Sequence, residues 1–300
     1  MDTVINNVSE STQLHMLKLD GLYIEHITDP SEGLKAAAVQ QNGLALQFIK
    51  DKNNPLNLSK LAVSQNGLAL QYVVIQTNEV VEDALNQNGM AYQYVKLPDW
   101  RLATAAVMQN GNALKLIREP TKGVQRLAVA QNGSAIRYIS EPNKELQVLS
   151  VSKGAKNIYN IIDPCYDAQV MAFTKDSLIY MKTAQRKIRF HKDIQMLAVN
   201  DKPDNVCYLY KPCEEVMFAA VSKKGDVVRS MKNPSRNLQI IAGLQSGNVL
   251  RYLDRIMDKT KTDQYNEETR ELVRVAAVEQ DPKNIRYISR PSERILRLIS

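Results

Sequence analysis

Five copies of one phrase, Gln-Asn-Gly-x-Ala followed by a large apolar residue, punctuate the first half of the chain and constrain its fold more than any other feature. Leu61 to Val73 reads LAVSQNGLALQYV and Leu127 to Ile139 reads LAVAQNGSAIRYI, with close relatives at Ala38 to Ile49 and Ala106 to Ile117. The turn glycines Gly43, Gly67, Gly89, Gly111 and Gly133 stand 24, 22, 22 and 22 residues apart, and Gly225 and Gly247 resume that spacing after a less regular stretch. A period of this length belongs to stacked-repeat architectures.

A proline nine residues after the turn position is the second fixed feature: Pro30 follows Gly21, Pro142 follows Gly133 and Pro234 follows Gly225. The same offset exposes worn copies, with Ala155 before Pro164, Pro203 before Pro212 and Pro282 before Pro291, and a further one around Ser177. The result is about twelve 22-residue units, the last proline opening a terminal half-unit.

Within one unit Val124, Leu127 and Ala128, then Ala135, Ile136 and Ile139, recur at steps of three and four, which places each set on one face of a short helix. The spacing therefore predicts an all-α helical solenoid of helix-turn-helix repeats. Proline is expected at the first helical position, where its missing N–H goes unused anyway. A left-handed glycine closes that helix. A second helix of about seven residues follows, ended by an extended residue before the next proline. Helices this short do not persist alone, so stacking must hold them. Ala62, Ala106, Ala128, Ala198, Ala220 and Ala277 share one motif position, which fits a close helix approach that leucine would overpack.

A leucine-rich-repeat-like solenoid is the alternative. Val124, Leu127, Val129 and Asn132 match its V-x-x-L-x-V-x-x-N core, and 22 residues lies within its period. That reading turns Ala128 away from the core, and it does not match the apolar steps after Asn132. The chain is organised as an N-terminal cap over residues 1–17, the repeat array over 18–253, a charged insertion over 254–270, and a terminal repeat with its cap over 271–300.

The 44% hydrophobic content excludes wholesale disorder. Neither a secretory leader nor an apolar run long enough for a membrane span is evident, and three cysteines suit a reducing compartment, so a cytoplasmic or otherwise intracellular location is expected. The net charge of +7 is uneven: residues 1–150 carry 13 Lys/Arg against 14 Asp/Glu, residues 151–300 carry 26 against 18. Such a basic half steers acidic partners.

One column of the second helix changes character along the array. It reads Gln47, Gln71, Gln93, Lys115 and Arg137, then Tyr159, Cys207, Arg229, Arg251 and Arg286. Equivalent positions of neighbouring repeats line up in space, so Arg137, Tyr159, Arg229, Arg251 and Arg286 form the candidate binding stripe. The next column, Phe48, Tyr72, Tyr94, Tyr138, Tyr208, Tyr252 and Tyr287, is aromatic, and packing between repeats is its simplest role. Basic and aromatic residues in register are compatible with a single-stranded nucleic acid as well as with a protein.

Chemistry finds little footing. His15, His26 and His191 are isolated, with no H-E-x-x-H or clustered metal pattern. Cys165 and Cys213 follow the repeat proline at a helix start, but neither has a placed histidine partner in the sequence. No phosphate loop, dinucleotide fingerprint or nucleophile elbow occurs. Acidic pairs such as Glu82-Asp83 and Glu214-Glu215 are adjacent and so do not face each other on a helix. No cofactor is expected.

The AVxQNGxALxYI core resembles a family of short repeats of unknown function found in bacterial proteins and some viral ones, including those of amoeba-associated organisms. The likeness covers most of residues 20–300 and is strongest from Gly43 to Pro142; from Val151 onward the chain departs from the pattern. It implies an all-helical array and an intracellular, host-directed role, and it brings no active site. The expectation is a non-enzymatic scaffold or adaptor that binds a protein partner, the alternative being a single-stranded nucleic acid or other polyanion held by the basic second half.

Overall fold

The computed structural model describes residues 6–49, 56–231, 234–253 and 264–300, all of them helical or in connecting turns. They fall into two compact units, Met1–Ile161 and Ile162–Ser300. Each is a solenoid of tandem helix pairs. The first contains α1 (Glu10–Leu19), α2 (Glu32–Gln41), α3 (Leu56–Gln65), α4 (Asn78–Gln87), α5 (Trp100–Gln109), α6 (Lys122–Gln131) and α7 (Lys144–Lys153). Each is followed by a 3-10 helix, from η1 (Gly21–His26) and η2 (Gly43–Phe48) through η3 (Gly67–Tyr72), η4 (Gly89–Tyr94), η5 (Gly111–Leu116) and η6 (Gly133–Tyr138) to η7 (Ala155–Asn160). Consecutive α-helices pack side by side, and consecutive 3-10 helices stack beside them.

The second helix is thus a six-residue 3-10 helix and not a seven-residue α-helix. Its apolar residues explain the choice. Gly43, Leu46 and Ile49 fall at steps of three, the period of a 3-10 helix, and all three are buried along one edge.

Each letter of the Gln-Asn-Gly phrase has a separate duty. The asparagine ends the α-helix and caps the 3-10 helix: Asn42 Oδ1 accepts from Leu44 N–H at 3.1 Å, and Asn66, Asn88, Asn110 and Asn132 do the same in their units. The glutamine clamps the preceding unit. Gly43 N–H donates to Gln65 Oε1 at 2.6 Å, while Gln65 Nε2 donates to the Gln41 carbonyl at 3.2 Å. Gln41, Gln87, Gln109 and Gln131 repeat this pair of bonds, so one side chain satisfies two backbone groups left over at a helix end.

The glycine is not left-handed, contrary to the sequence expectation: among the described residues no glycine lies in the left-handed region. Its need is steric. A Cβ on Gly43 would lie 2.3 Å from the Ala62 carbonyl oxygen, and one on Gly89 would lie 2.2 Å from that of Ala106. The glycine of one unit and the alanine of the next are therefore the two sides of a single seam. Ala62, Ala106, Ala128, Ala198, Ala220 and Ala277 are all fully buried.

Three further expectations are corrected. The proline that precedes an α-helix does not occupy its first position; Pro120 lies one residue before Thr121, whose hydroxyl caps α6, and the Pro120 carbonyl accepts from Gln125 Nε2 at 3.0 Å. The residue before proline is not always extended: Asp29 (φ 51°) and Lys211 (φ 48°) are left-handed, which also avoids the right-handed region that a following proline disfavours. Leu127, grouped with the apolar face, is 38% exposed, because the buried stripe of α6 runs through Val124, Ala128 and Val129. That burial of Ala128, with no strand among the described residues, counts against the leucine-rich alternative.

The second unit contains α8 (Tyr166–Lys175), η8 (Ile179–Lys182), α9 (Thr183–Arg186), α10 (Lys192–Asp201), η9 (Pro203–Tyr208), α11 (Glu214–Lys223), η10 (Gly225–Ser230), α12 (Arg236–Gln245), η11 (Gly247–Val249), α13 (Gln264–Gln280), η12 (Pro282–Tyr287) and α14 (Glu293–Arg297). Here the clamp changes. Asn205 and Asn284, two residues after the turn position, donate from Nδ2 to the Ala198 and Ala277 carbonyls at 2.9 and 2.8 Å. Asn284 also fills the space a Cβ on Gly247 would take, 1.9 Å from its Cγ. Gly225 keeps the simpler seam: a Cβ there would lie 2.6 Å from the Ala242 carbonyl oxygen.

Of the charged insertion, residues 254–263 lie outside the described residues, and 264–270 form the start of α13, with Thr269 buried. In the N-terminal segment, residues 1–5 lie outside, and residues 10–17 belong to α1, capped by Ser9 and anchored by the fully buried Leu17.

Candidate binding surface

The fifth residue of each six-residue 3-10 helix points away from the packed edge, and this is the column singled out in the sequence. In the first unit Gln47, Gln71, Gln93, Lys115 and Arg137 are all exposed, on 3-10 helices that touch their neighbours in order. Arg137 folds back on its own turn: Nε donates to the Ser134 carbonyl at 2.9 Å, and the guanidinium lies 5.9 Å from the Tyr138 ring centre. Tyr159 is half-buried.

In the second unit the column reads Cys207, Arg229, Arg251 and Arg286, all exposed, on η9, η10, the segment after η11, and η12. Burial first, and then the Asp204 carboxylate, push the Cys207 thiol up, which disfavours the thiolate. Arg229 is engaged in binding its neighbour, donating from Nη2 to the Asn248 carbonyl and Oδ1 at 3.0 and 2.7 Å, with Asp226 at 3.5 Å. Arg251 and Arg286 are disposed differently. Their guanidinium carbons lie 5.4 and 4.7 Å from the centre of the Tyr287 ring, and Arg286 Nη2 donates to the Tyr287 hydroxyl at 2.8 Å.

The aromatic column serves the stacking. Phe48, Tyr72, Tyr94, Tyr252 and Tyr287 are half-buried, while Tyr138 and Tyr208 are just within the exposed range. Tyr252 donates its hydroxyl hydrogen bond to the Arg229 carbonyl of the neighbouring repeat at 3.1 Å. His26, in the same column, sits 6.4 Å from the Tyr23 ring.

One feature was missed in the sequence. Trp100, 66% exposed, lines a cleft of about 490 Å³ together with Tyr92, Pro98, Leu116, Pro120 and Val124. The Arg101 guanidinium lies 5.5 Å from the Trp100 ring. Burial, and then Asp99, raise the Tyr92 phenol above its ordinary value. The signal was available: Trp100 is the sole tryptophan, and it opens a helix where Glu10, Glu32, Asn78, Lys122 and Lys144 open five of the other six in this unit, Leu56 opening the sixth.

Cys165, His191 and Cys213 immediately precede α8, α10 and α11 as their N-cap residues, and Tyr166 packs edge-on against His191 at 4.9 Å. Among the described residues no group of three or more His, Cys, Asp or Glu side chains is placed to hold a metal ion. None of the described helices is long and apolar enough to cross a membrane.

Comparison of the chain with protein-family models, with curated proteins and with solved structures finds no match.

Proposed function

We propose that this chain is a non-enzymatic, intracellular scaffold, an array of about twelve 22-residue units of the short-repeat kind it resembles, whose basic half binds an acidic protein segment along the 3-10 face. The pairing of Arg251 and Arg286 against Tyr287 carries this reading. It holds two exposed guanidinium groups from neighbouring repeats around one ring. Preordered planar cations suit carboxylates, which guanidinium recognises with two parallel hydrogen bonds.

Single-stranded nucleic acid is the second reading, favoured by the same basic and aromatic columns. Base stacking needs free aromatic faces. Tyr287 already has two guanidinium groups near its ring, and Tyr252 is committed to the Arg229 carbonyl. The arginines are therefore better placed for carboxylates than the tyrosines are for bases.

The test is a direct comparison. Binding of a fluorescent glutamate-rich peptide and of a single-stranded oligonucleotide is measured for the wild type and for an Arg251→Ala/Arg286→Ala double variant. Exposed ion pairs contribute about 0.2–1 kcal/mol each, so peptide affinity should fall about two- to thirtyfold. An oligonucleotide that binds more tightly than the peptide at physiological salt, and is the ligand lost in the variant, would establish the second reading instead.

A further inference from the structure

Asn-Gly is the peptide step most open to intramolecular succinimide formation, because glycine offers no side chain to shield its amide nitrogen. This chain carries five such steps in one structural context, at Asn42, Asn66, Asn88, Asn110 and Asn132. All five lie between φ −139° and −152°, with ψ between 105° and 107°. Each side-chain oxygen also caps its own 3-10 helix. Local backbone geometry therefore does not separate them; the one local difference is that Asn132 Oδ1 also accepts from Ser134 Oγ at 2.8 Å.

The inter-repeat clamp does. The nitrogen that must attack is the glycine amide. In Gly43, Gly67, Gly89 and Gly111 its hydrogen is held by Gln65, Gln87, Gln109 and Gln131, at 2.6 to 2.7 Å. At Gly133 the equivalent place in the following repeat is Lys153, whose side chain has no acceptor. No acceptor for the Gly133 N–H occurs among the described residues. Ser150 and Asn157 fasten other atoms: Ser150 Oγ donates to the Gly133 carbonyl at 2.7 Å, and Asn157 Nδ2 donates to the Ser150 carbonyl at 2.8 Å.

We propose that Asn132 is a site of spontaneous deamidation, set apart from its four sister steps by the missing glutamine clamp. Local opening of the turn comes first, as it does for any reaction needing a non-native backbone angle. At the four clamped steps that opening must break a bond to the attacking nitrogen; at Gly133 there is none to break. The Gly133 amide nitrogen loses its proton to solvent base and bonds to Asn132 Cγ. The Cγ–Nδ2 bond then breaks and ammonia leaves with a proton from solvent. Water reopens the ring at either carbonyl, leaving an aspartyl or an isoaspartyl residue. The first product suits the fold, since Asp20 and Asp281 already cap their 3-10 helices in the same way. The second adds a backbone methylene and breaks that cap.

The experiment holds the full chain at mildly alkaline pH, natively and in denaturant, and follows all five steps by peptide mapping with separation of aspartyl and isoaspartyl products. The rate at each step is divided by its rate in denaturant. Asn132 should react about fivefold or more faster than the other four on this scale, the change in open population that one net hydrogen bond controls. In a Gln131→Ala variant, Asn110 should rise by a similar factor while Asn88 stays unchanged. A native ratio at Asn132 no higher than at the clamped steps, or an Asn110 rate indifferent to the loss of Gln131, would overturn the proposal.

Discussion

A Cβ built on Gly111 would stand 2.4 Å from the carbonyl oxygen of Ala128, so these two residues of adjacent repeats meet with no room for a methyl group. The contact is between a missing side chain and a backbone atom, and neither side can rotate away. Gly111→Ala is therefore expected to destabilise the chain by about 1–3 kcal/mol, the usual range for overpacking. Gly123, in the first turn of α6, supplies the control. Its nearest neighbour would be 3.8 Å away, so Gly123→Ala should raise stability by about 0.5–1 kcal/mol. Urea unfolding of the two variants checks both signs, and destabilisation by each alike would remove the seam as the explanation.

The other side of the seam makes a matching prediction. Ala128 is fully buried where α6 meets its neighbours, and leucine there has no cavity to enter. Ala128→Leu should lower stability by about 1–3 kcal/mol. An unchanged melting midpoint would contradict the packing described.

Gln109 tests the clamp. Its truncation in Gln109→Ala strands the Gly89 N–H and the Gln87 carbonyl, both bonded to it now, at a cost of about 1–3 kcal/mol. Gln71 is an exposed glutamine in the fifth position of its 3-10 helix, and Gln71→Ala should stay within about 0.5 kcal/mol of wild type. Hydrogen exchange at Gly89 gives the local readout, since its amide should lose protection only in the first variant.

Glu215 ties two helices together and fixes a pH dependence. Its own amide in the first turn of α11, followed by the Lys192 ammonium 3.1 Å away on α10, holds the carboxyl down to about 2 from the ordinary 4.5. A carboxyl depressed in the folded state stabilises fully above its unfolded value. That contribution should therefore fade as pH falls from about 4.5 toward 2. Comparison of wild type with Glu215→Gln over this window isolates it: the stability gap should narrow with acid, and a constant gap would show that the carboxylate plays no such part.

The repeat, its helical character and the close approach at Ala128 were all legible in the sequence, because stacking copies one spacing again and again and each copy reports the same constraint. The exposure of equivalent positions within each unit, Arg137 in the first and Arg229, Arg251 and Arg286 in the second, was legible too. Partners were not. Nothing local to Arg229 tells that Asn248 will occupy its guanidinium, while Arg251 and Arg286 will share Tyr287, since those contacts join residues of different repeats. Trp100 escaped notice because its surroundings were read as a regular unit, and the cleft it lines is completed by Pro120 and Val124 of the next one.

The Gln-Asn-Gly phrase marks the division most clearly. Sequence alone determined that a chain break in helical order falls there, and that glycine is required. It also pointed to the usual reason, a left-handed helix end, and the tertiary structure decided otherwise. Gly43 and Gly111 keep ordinary backbone angles; what excludes a side chain is the next repeat's alanine carbonyl oxygen, which stacking sets 2.3 and 2.4 Å from where a Cβ would stand. The glutamine was no more readable, because both of its hydrogen bonds reach backbone of the preceding repeat. Propensity and periodicity are properties of a segment and can be read from it. The clamp and the seam are properties of two segments in contact, and they exist only once neighbouring repeats have packed.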